Sequence, residues 1–151
     1  MKERLVMRGD AVIERRRKDG SLIDKEEIKN LIVNTGKERV AKLLNGVSST
    51  YFRAIAIGTG TTAPVAGDME LESEIARALA SLSYEANYKA VFEKTFEFGS
   101  GEAYDITEVG IFDSDTVSGS TMYDRLTFSA KSVDSDTDLY VKITITMDYC
   151  S

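Results

Sequence analysis

The sequence predicts a mainly β chain of the α+β kind: an antiparallel β-sandwich or small barrel with two short helices and an N-terminal charged β-hairpin. Three observations predict it. Near the C-terminus Leu139, Val141, Ile143, Ile145 and Met147 alternate with Tyr140, Lys142, Thr144, Thr146 and Asp148, and a period of two puts one face in a core and the other in water. The same alternation runs from Asn87 to Phe98, where Tyr88, Ala90, Phe92, Phe96 and Phe98 oppose Lys89, Glu93, Thr95 and Glu97. Asp19-Gly20, set between two strand-like runs, is the third: such a pair is a strong short-range hairpin signal. Loops of Ser, Gly and Asp separate the runs at the spacing of a small antiparallel fold.

Taken in order, the first element is an extended hairpin, from Val6 to Arg17 and back from Leu22 to Val33, with both arms rich in charge. An Asp-Gly pair suits a type I′ turn because both residues tolerate positive φ. Thr35 is placed to cap the amide of Glu38, and Glu38 to reach back, which opens a short helix with Val40, Leu43 and Leu44 on one face. Asn45-Gly46 is a left-handed stop for it. Tyr51 to Ile57 reads as a buried strand, and Gly58 to Gly67 as a small-residue loop containing Gly60 and Pro64. Asp68 is expected to cap a second helix, since Glu70, Glu72 and Glu74 suit the positive end of a helix dipole and Leu71, Ile75 and Leu79 form a stripe. Ile106 to Phe112 and Thr121 to Ala130 complete the strands. The expected division is residues 1–34 as a charged hairpin arm belonging to the same unit, and 35–151 as a β-rich core domain with two short helices.

Composition narrows the chemistry. The chain has 151 residues, enough for one well-filled core, with no His, no Trp, one Pro and one Cys. A Ser-His-Asp triad, a Cys-His dyad, a His-ligated zinc site and His-ligated haem therefore cannot be built within it. Cys150 has no internal disulfide partner and no His to activate it, and neighbouring Asp148 disfavours its thiolate. At 42% apolar and 29% charged residues, the sequence is too apolar for a disordered acidic tail and too polar for a membrane span. The N-terminus, in which Lys2, Glu3 and Arg4 precede only Leu5-Val6-Met7, shows no secretory pattern, so synthesis in the cytoplasm is expected.

Charge is distributed unevenly. Residues 1–46 carry 12 Lys or Arg against 8 Asp or Glu, and residues 47–151 carry 7 against 17, so a head of +4 sits on a body of −10. Opposite ends of this kind suit contact between copies or with an oppositely charged partner, or are simply two solvated faces. The dense basic run Arg15, Arg16, Arg17 and Lys18 is the candidate for such an interface. Flanked by Glu14 and Asp19 beside a turn, it is a poor nucleic-acid footprint.

Two motifs invite a ligand and fall short of one. Gly58-Thr59-Gly60-Thr61-Thr62-Ala63 fits a dinucleotide-binding glycine pattern, but that pattern requires the loop to open a helix inside a βαβ unit, and here Pro64 and Ala66-Gly67 prolong the loop. No cofactor is expected, and a small-molecule ligand only as the rival reading of this loop. Asp134, Asp136 and Asp138 alternate like the start of a calcium loop, yet the sixth and twelfth places hold Leu139 and Ile145 instead of Gly and Glu. They are weak metal candidates whose ordinary role is a solvated turn. Plentiful Asp and Glu allow many carboxylate pairs, but nothing singles out a glycosidase pair.

The order of several segments carries a resemblance. Asn30-Leu31-Ile32-Val33-Asn34-Thr35-Gly36 is followed by a short helix, then by Ala56-Ile57-Gly58-Thr59-Gly60-Thr61-Thr62-Ala63-Pro64, Gly67-Asp68, Leu71, Glu74 and Arg77. Glu108-Val109-Gly110-Ile111-Phe112-Asp113 and Gly119-Ser120-Thr121-Met122-Tyr123-Asp124-Arg125 come next, before the final alternating strand. Over residues 28–149 this resembles a group of small virion structural proteins of tailed bacteriophages, found among tail-fibre, tail-tip and head-surface components. The resemblance implies a non-enzymatic virion protein, a homo-oligomer that binds other virion proteins and neither nucleic acid nor membrane. A tail-fibre or baseplate component is favoured over a capsid decoration protein of the head. The residues themselves suggest architecture: Glu74 and Arg77 lie three apart on one face of the expected second helix, Glu108 and Arg125 lie near strand ends, and any of these can form a buried pair that pins that helix to the sheet, while Gly110 marks a bulge or a close neighbour.

Overall fold

The computed structural model describes residues 4–150, with side chains to Asp148. The readings of Lys2, Glu3 and the Cys150 thiol lie outside the described residues. Nine strands and one helix follow in the order β1 (Arg4–Arg17), β2 (Leu22–Ile32), α1 (Asn34–Leu44), β3 (Ala54–Gly58), β4 (Glu74–Leu79), β5 (Ser81–Glu85), β6 (Lys89–Phe96), β7 (Tyr104–Phe112), β8 (Met122–Val133) and β9 (Thr137–Cys150). All pairings are antiparallel, in the spatial order β4-β3-β7-β8-β2-β1-β9-β6-β5.

Two corners make this sheet curl into a nearly closed, barrel-like form. At one, β2 pairs with β1 along most of its length but with β8 only through Leu31 opposite Arg125 and Ile32 opposite Asp124. Past that point the strands separate, and side chains bridge the gap: Lys131 and Ser129 both donate to Glu26, while Arg15 donates to the Ser132 carbonyl. At the other corner only Ala80 separates β4 from β5. The two form one bent strand whose first half pairs with β3 and whose second half pairs with β6.

The core lies between the two halves. Ile13, Phe92, Leu139, Val141 and Ile143 face Ile55, Ile57, Ile106, Val109, Ile111 and Leu126 in one cluster. Each such side chain stabilises the fold by about 1.5–3 kcal/mol through burial. The alternation from Leu139 to Ile145 is present as read, with every odd residue buried. β3 and β7 are buried almost without interruption because the outer face of their half is covered as well: Val33, Ala54, Ala56, Leu71, Phe112 and Met122 form a smaller cluster there.

The hairpin supplies two central strands, β1 lying between β2 and β9. Its turn differs from a type I′ turn. Only Gly20 is left-handed, at φ 88°, the Gly20 amide donates to the Arg17 carbonyl, and the register shifts between Arg15 and Arg16. A three-residue loop ending in a left-handed glycine explains the first two facts, and the register shift is a separate bulge that leaves Ile23 as the extra residue. Asp19 contributes its side chain, which accepts the Ser21 amide.

The helical expectations need two corrections. Thr35 does not cap α1: the N-cap is Val33, without a side-chain hydrogen bond, and the Thr35 hydroxyl instead donates to the Met122 carbonyl at 2.7 Å. Glu38 pairs with Lys42 instead of closing a capping box. The second helix does not form at all. Residues 74–79 are strand β4, because a helix there would leave one edge of fully buried β3 without hydrogen-bond partners, and unpaired buried backbone is costlier than a lost helical preference. Ala76 and Ala78 lie opposite Ile57 and Ile55 and help to cover the core. Asp68 therefore caps a turn, its carboxylate accepting the Val65 amide at 3.0 Å.

Candidate functional site

Beneath the loop of residues 59–73, on the outer face of the half formed by β4, β3, β7 and β8, lies a buried ionic cluster. Glu108, opposite Gly58 on β7, is fully buried. Its carboxylate accepts the amides of Ser73 at 3.0 Å and Glu72 at 3.2 Å, and Nη2 of Arg125 at 2.9 Å. Nη1 of Arg125 donates to Asp68 at 3.0 Å, and the Thr107 hydroxyl donates to the Gly60 carbonyl at 2.7 Å. Burial alone would lower the pKa of Arg125, but its hydrogen bonds to Glu108 and Asp68 outweigh that and hold it above the usual value.

The glycines of this loop are explained by what lies under them. A Cβ on Gly60 would overlap the Glu108 carboxylate and Cβ of Glu72, and one on Gly58 would overlap the Ser73 carbonyl. The loop thus settles onto a carboxylate, a charge that disfavours a phosphate in the same place. Pro64 is half-buried within the loop, and Leu71 reaches over Gly110, where an added Cβ would come within 3.2 Å of it. Gly110 itself pairs regularly with Arg125 and Ala56, so it marks a close neighbour; the β7 irregularities fall between Ile106 and Glu108 and between Ile111 and Phe112.

A second cluster holds the loop that joins β7 to β8. Glu74 and Arg77 form a bidentate pair at 2.7 and 3.0 Å, on a strand instead of a helix. Arg77 also donates to the Ser120 hydroxyl at 2.7 Å and the Ser114 carbonyl at 3.2 Å, with its guanidinium 3.7 Å from the centre of the Phe112 ring. From α1, Arg39 donates to Asp113 at 2.8 Å, and Nε of Arg53 donates to the Asp113 carbonyl at 2.9 Å.

On the inner face, Asp124 is fully buried at the β2–β8 corner. It accepts the Ile111 amide at 2.9 Å and the Asn30 side-chain amide. Burial pushes its pKa up to about 7, against the opposing pull of those two hydrogen bonds. Among the described residues, Oδ1 of Asn30 and Nε of Arg125 are the buried side-chain atoms left without a hydrogen-bond partner.

The remaining residues singled out by sequence are dispersed. Asp134 and Asp136 occupy the β8–β9 turn, where the Asp134 side chain accepts the Asp136 amide, while Asp138 on β9 pairs with Lys18. Among the described residues, no three His, Cys, Asp or Glu side chains gather as metal ligands. The basic run is engaged within its own chain: Arg15 with Asp24, Arg16 with Glu14 and over the Tyr140 ring at 4.0 Å, Arg17 with the Leu22 carbonyl, and Lys18 with Asp138. The acidic triplet and the basic run, read as separate features, therefore touch.

Sequence reasoning missed Arg39, Arg53, Asn30, Thr107 and the buried roles of Asp113 and Asp124. A signal existed for the two acids, since each interrupts an apolar strand, in Ile111-Phe112-Asp113 and in Met122-Tyr123-Asp124. None existed for Arg39, whose partner is 74 residues away. Among the described residues no helix is long and apolar enough to cross a membrane. Neither the family models nor the curated proteins nor the solved structures contain a match to this chain.

Proposed function

We propose that the chain is a non-enzymatic structural component of a tailed-phage virion, located in the particle and working through contacts with copies of itself and with other virion proteins. A tail-fibre or baseplate position is favoured over decoration of the head. One observation carries this reading. The residues on which the resemblance rests, Gly58, Gly60, Asp68, Glu74, Arg77, Glu108, Gly110 and Arg125, hold two long loops against one face of the sheet. Residues so placed give a rigid surface of fixed shape, which is what repeated assembly contacts require.

Peptide mass spectrometry of purified particles, with immunogold labelling by an antibody to the chain, tests the proposal. Stoichiometric peptides and label on the tail are expected; particles that lack the chain overturn it. A thermal-shift panel of nucleotides and glycans addresses the rival, a stand-alone ligand-binding domain using the Gly58 to Gly67 loop. A ligand at 100 times its Kd stabilises by about 2.7 kcal/mol, and a shift of that size, lost in a folded Gly60→Val variant, would favour the rival.

A further inference from the structure

Two strand edges of the sheet are open, and they match each other. Along β1, pairing with β2 begins only at Gly9 opposite Asn30, because Leu31 and Ile32 leave β1 to pair with β8. Arg4 to Arg8 therefore have β9 on one side and no strand on the other. A cleft of about 430 Å³, bordered by Met7, Arg8, Leu31, Ile32 and Lys37, runs beside them. The Met147 amide donates to the Tyr88 carbonyl, toward β6. Met7, opposite Met147, thus turns its own amide and carbonyl away from β9 and into the open edge, as does Leu5 two residues before it.

The second edge is β5. All five of its residues are exposed, and β6 is its one neighbour. The Ala80 amide donates to the Arg53 carbonyl, so by strand alternation the amides and carbonyls of Leu82 and Tyr84 point outward along that same edge. Arg53 fills the edge position at Ala80, and Asn30 fills the one at Gly9. One edge is thus open from Ser81 to Glu85 and the other from Arg4 to Arg8. Their faces agree as well. Met7 and Leu5 lie on the core face with Met147, and Leu82 and Tyr84 lie on it opposite Phe92 and Ala90, with Leu5 67% and Tyr84 71% exposed. Arg4, Val6 and Arg8 take the other face, as do Ser81, Ser83 and Glu85.

We propose that β5 of one copy of this chain pairs antiparallel with Arg4 to Arg8 of a second copy, Leu82 opposite the second copy's Met7 and Tyr84 opposite the second copy's Leu5. This deepens the reading of the chain as an assembling virion protein and rests on it. In this register both pairs exchange their two backbone hydrogen bonds, and every open position of both edges is used. The four apolar side chains share one face. On the other face Glu85 lies opposite the second copy's Arg4, and neither has an ion pair among the described residues of its own chain. Parallel pairing would instead set Leu82 and Tyr84 against the even-numbered, charged face of β1. Because each copy offers one edge of each kind, the contact is heterologous and repeats from copy to copy, closing into a ring or continuing as a filament.

Disulfide capture tests this. Ser83 falls opposite the second copy's Val6 in the closer, non-hydrogen-bonded kind of pair, within reach of a disulfide. In a Cys150→Ser background, which removes the chain's one Cys, Ser83→Cys and Val6→Cys chains are expected to cross-link when mixed and not when kept apart. Sedimentation velocity between about 1 and 200 µM is expected to show wild type associating. Glu85→Arg and Arg4→Glu are each expected to weaken the association about tenfold, and the double variant to restore it. Circular dichroism melts identify any variant that fails to fold; the charge-reversal pair, at two exposed positions, keeps the test open if a cysteine variant does. Ser83→Cys chains that cross-link alone, a mixture that does not cross-link, or a wild type monomeric throughout overturns the contact. Monomeric chain found in purified particles overturns only that contact, whereas chains that associate through it yet are absent from particles overturn the virion reading.

Discussion

Asp124 gives the fold a pH dependence whose sign can be worked out. Its pKa is about 7 in the folded chain, against about 4 for an unfolded aspartate, so the folded state holds the proton more tightly. The stability this contributes is complete below about pH 4 and is lost as the pH rises through 7. Asp24 and Glu26 act in the opposite sense: Arg15 holds the Asp24 pKa below the usual range, while for Glu26 hydrogen bonds from Lys131 and Ser129 outweigh the effect of burial. Their contribution is lost only as the pH falls below about 4, which leaves the window from pH 5 to 8 to Asp124. Urea midpoints are expected to fall between pH 5 and pH 8, by about 2–3 kcal/mol in stability, and Asp124→Asn to flatten that slope. An unchanged slope in the variant would place the titrating group elsewhere. The Glu108–Arg125 pair has a different signature. Glu108→Ala leaves a buried guanidinium, two amides and Asp68 to rearrange, and is expected to cost about 3–5 kcal/mol; replacing Glu108 and Arg125 together by Leu and Met should cost less. If the single change cost less than the double, the pair would not be the loop's anchor. The sequence offers Glu108 and Arg125 as members of a buried ion pair without saying which residues meet, and the contact of Asp124 with Asn30, 94 residues away, is encoded by no local pattern.

Among the elements, the strands with strict alternation were readable because only one arrangement buries Leu139 to Ile145 together. The segment 68–79 was misread for the opposite reason. Leu71, Ile75 and Leu79 fit a helical stripe, Ile75 to Leu79 carry no polar–apolar alternation that would mark a strand, and the choice is made by the unpaired edge of β3, a non-local demand. The pairing of Glu74 with Arg77 survives the change of secondary structure because a bulge at Ile75 puts the two residues, three apart, on the same face of the strand. The Gly58 to Gly67 loop was legible as a run of small residues that permits close backbone approach, though not what it approaches. Its glycines face Glu108, so Gly60→Val is expected to force the loop off the sheet and destabilise the fold by about 1–3 kcal/mol. Thermal melts with native-state hydrogen exchange at Ser73 and Glu72 check this, and a variant as stable and as protected as wild type would contradict the close approach.

At the scale of the whole molecule, the uneven charge of the sequence is partly consumed inside the chain. Arg15 to Lys18 meet Asp24, Glu14 and Asp138, so the basic run serves first to join β1 to its neighbours. The exposed strand β5 and the groove beside it are, by contrast, largely apolar, lined by Leu5, Tyr84, Tyr88, Ala90 and Met147. The nearly closed sheet has its ends covered where β4 meets β3 and open where β5 has no outer partner, and that asymmetry was invisible in a sequence whose 81–85 segment resembles any short strand. A cryo-electron microscopy reconstruction of the purified particle tests the central claim most directly. The account expects density for this nine-stranded fold in repeated copies on the tail, and particles complete and infective without any such density would contradict it.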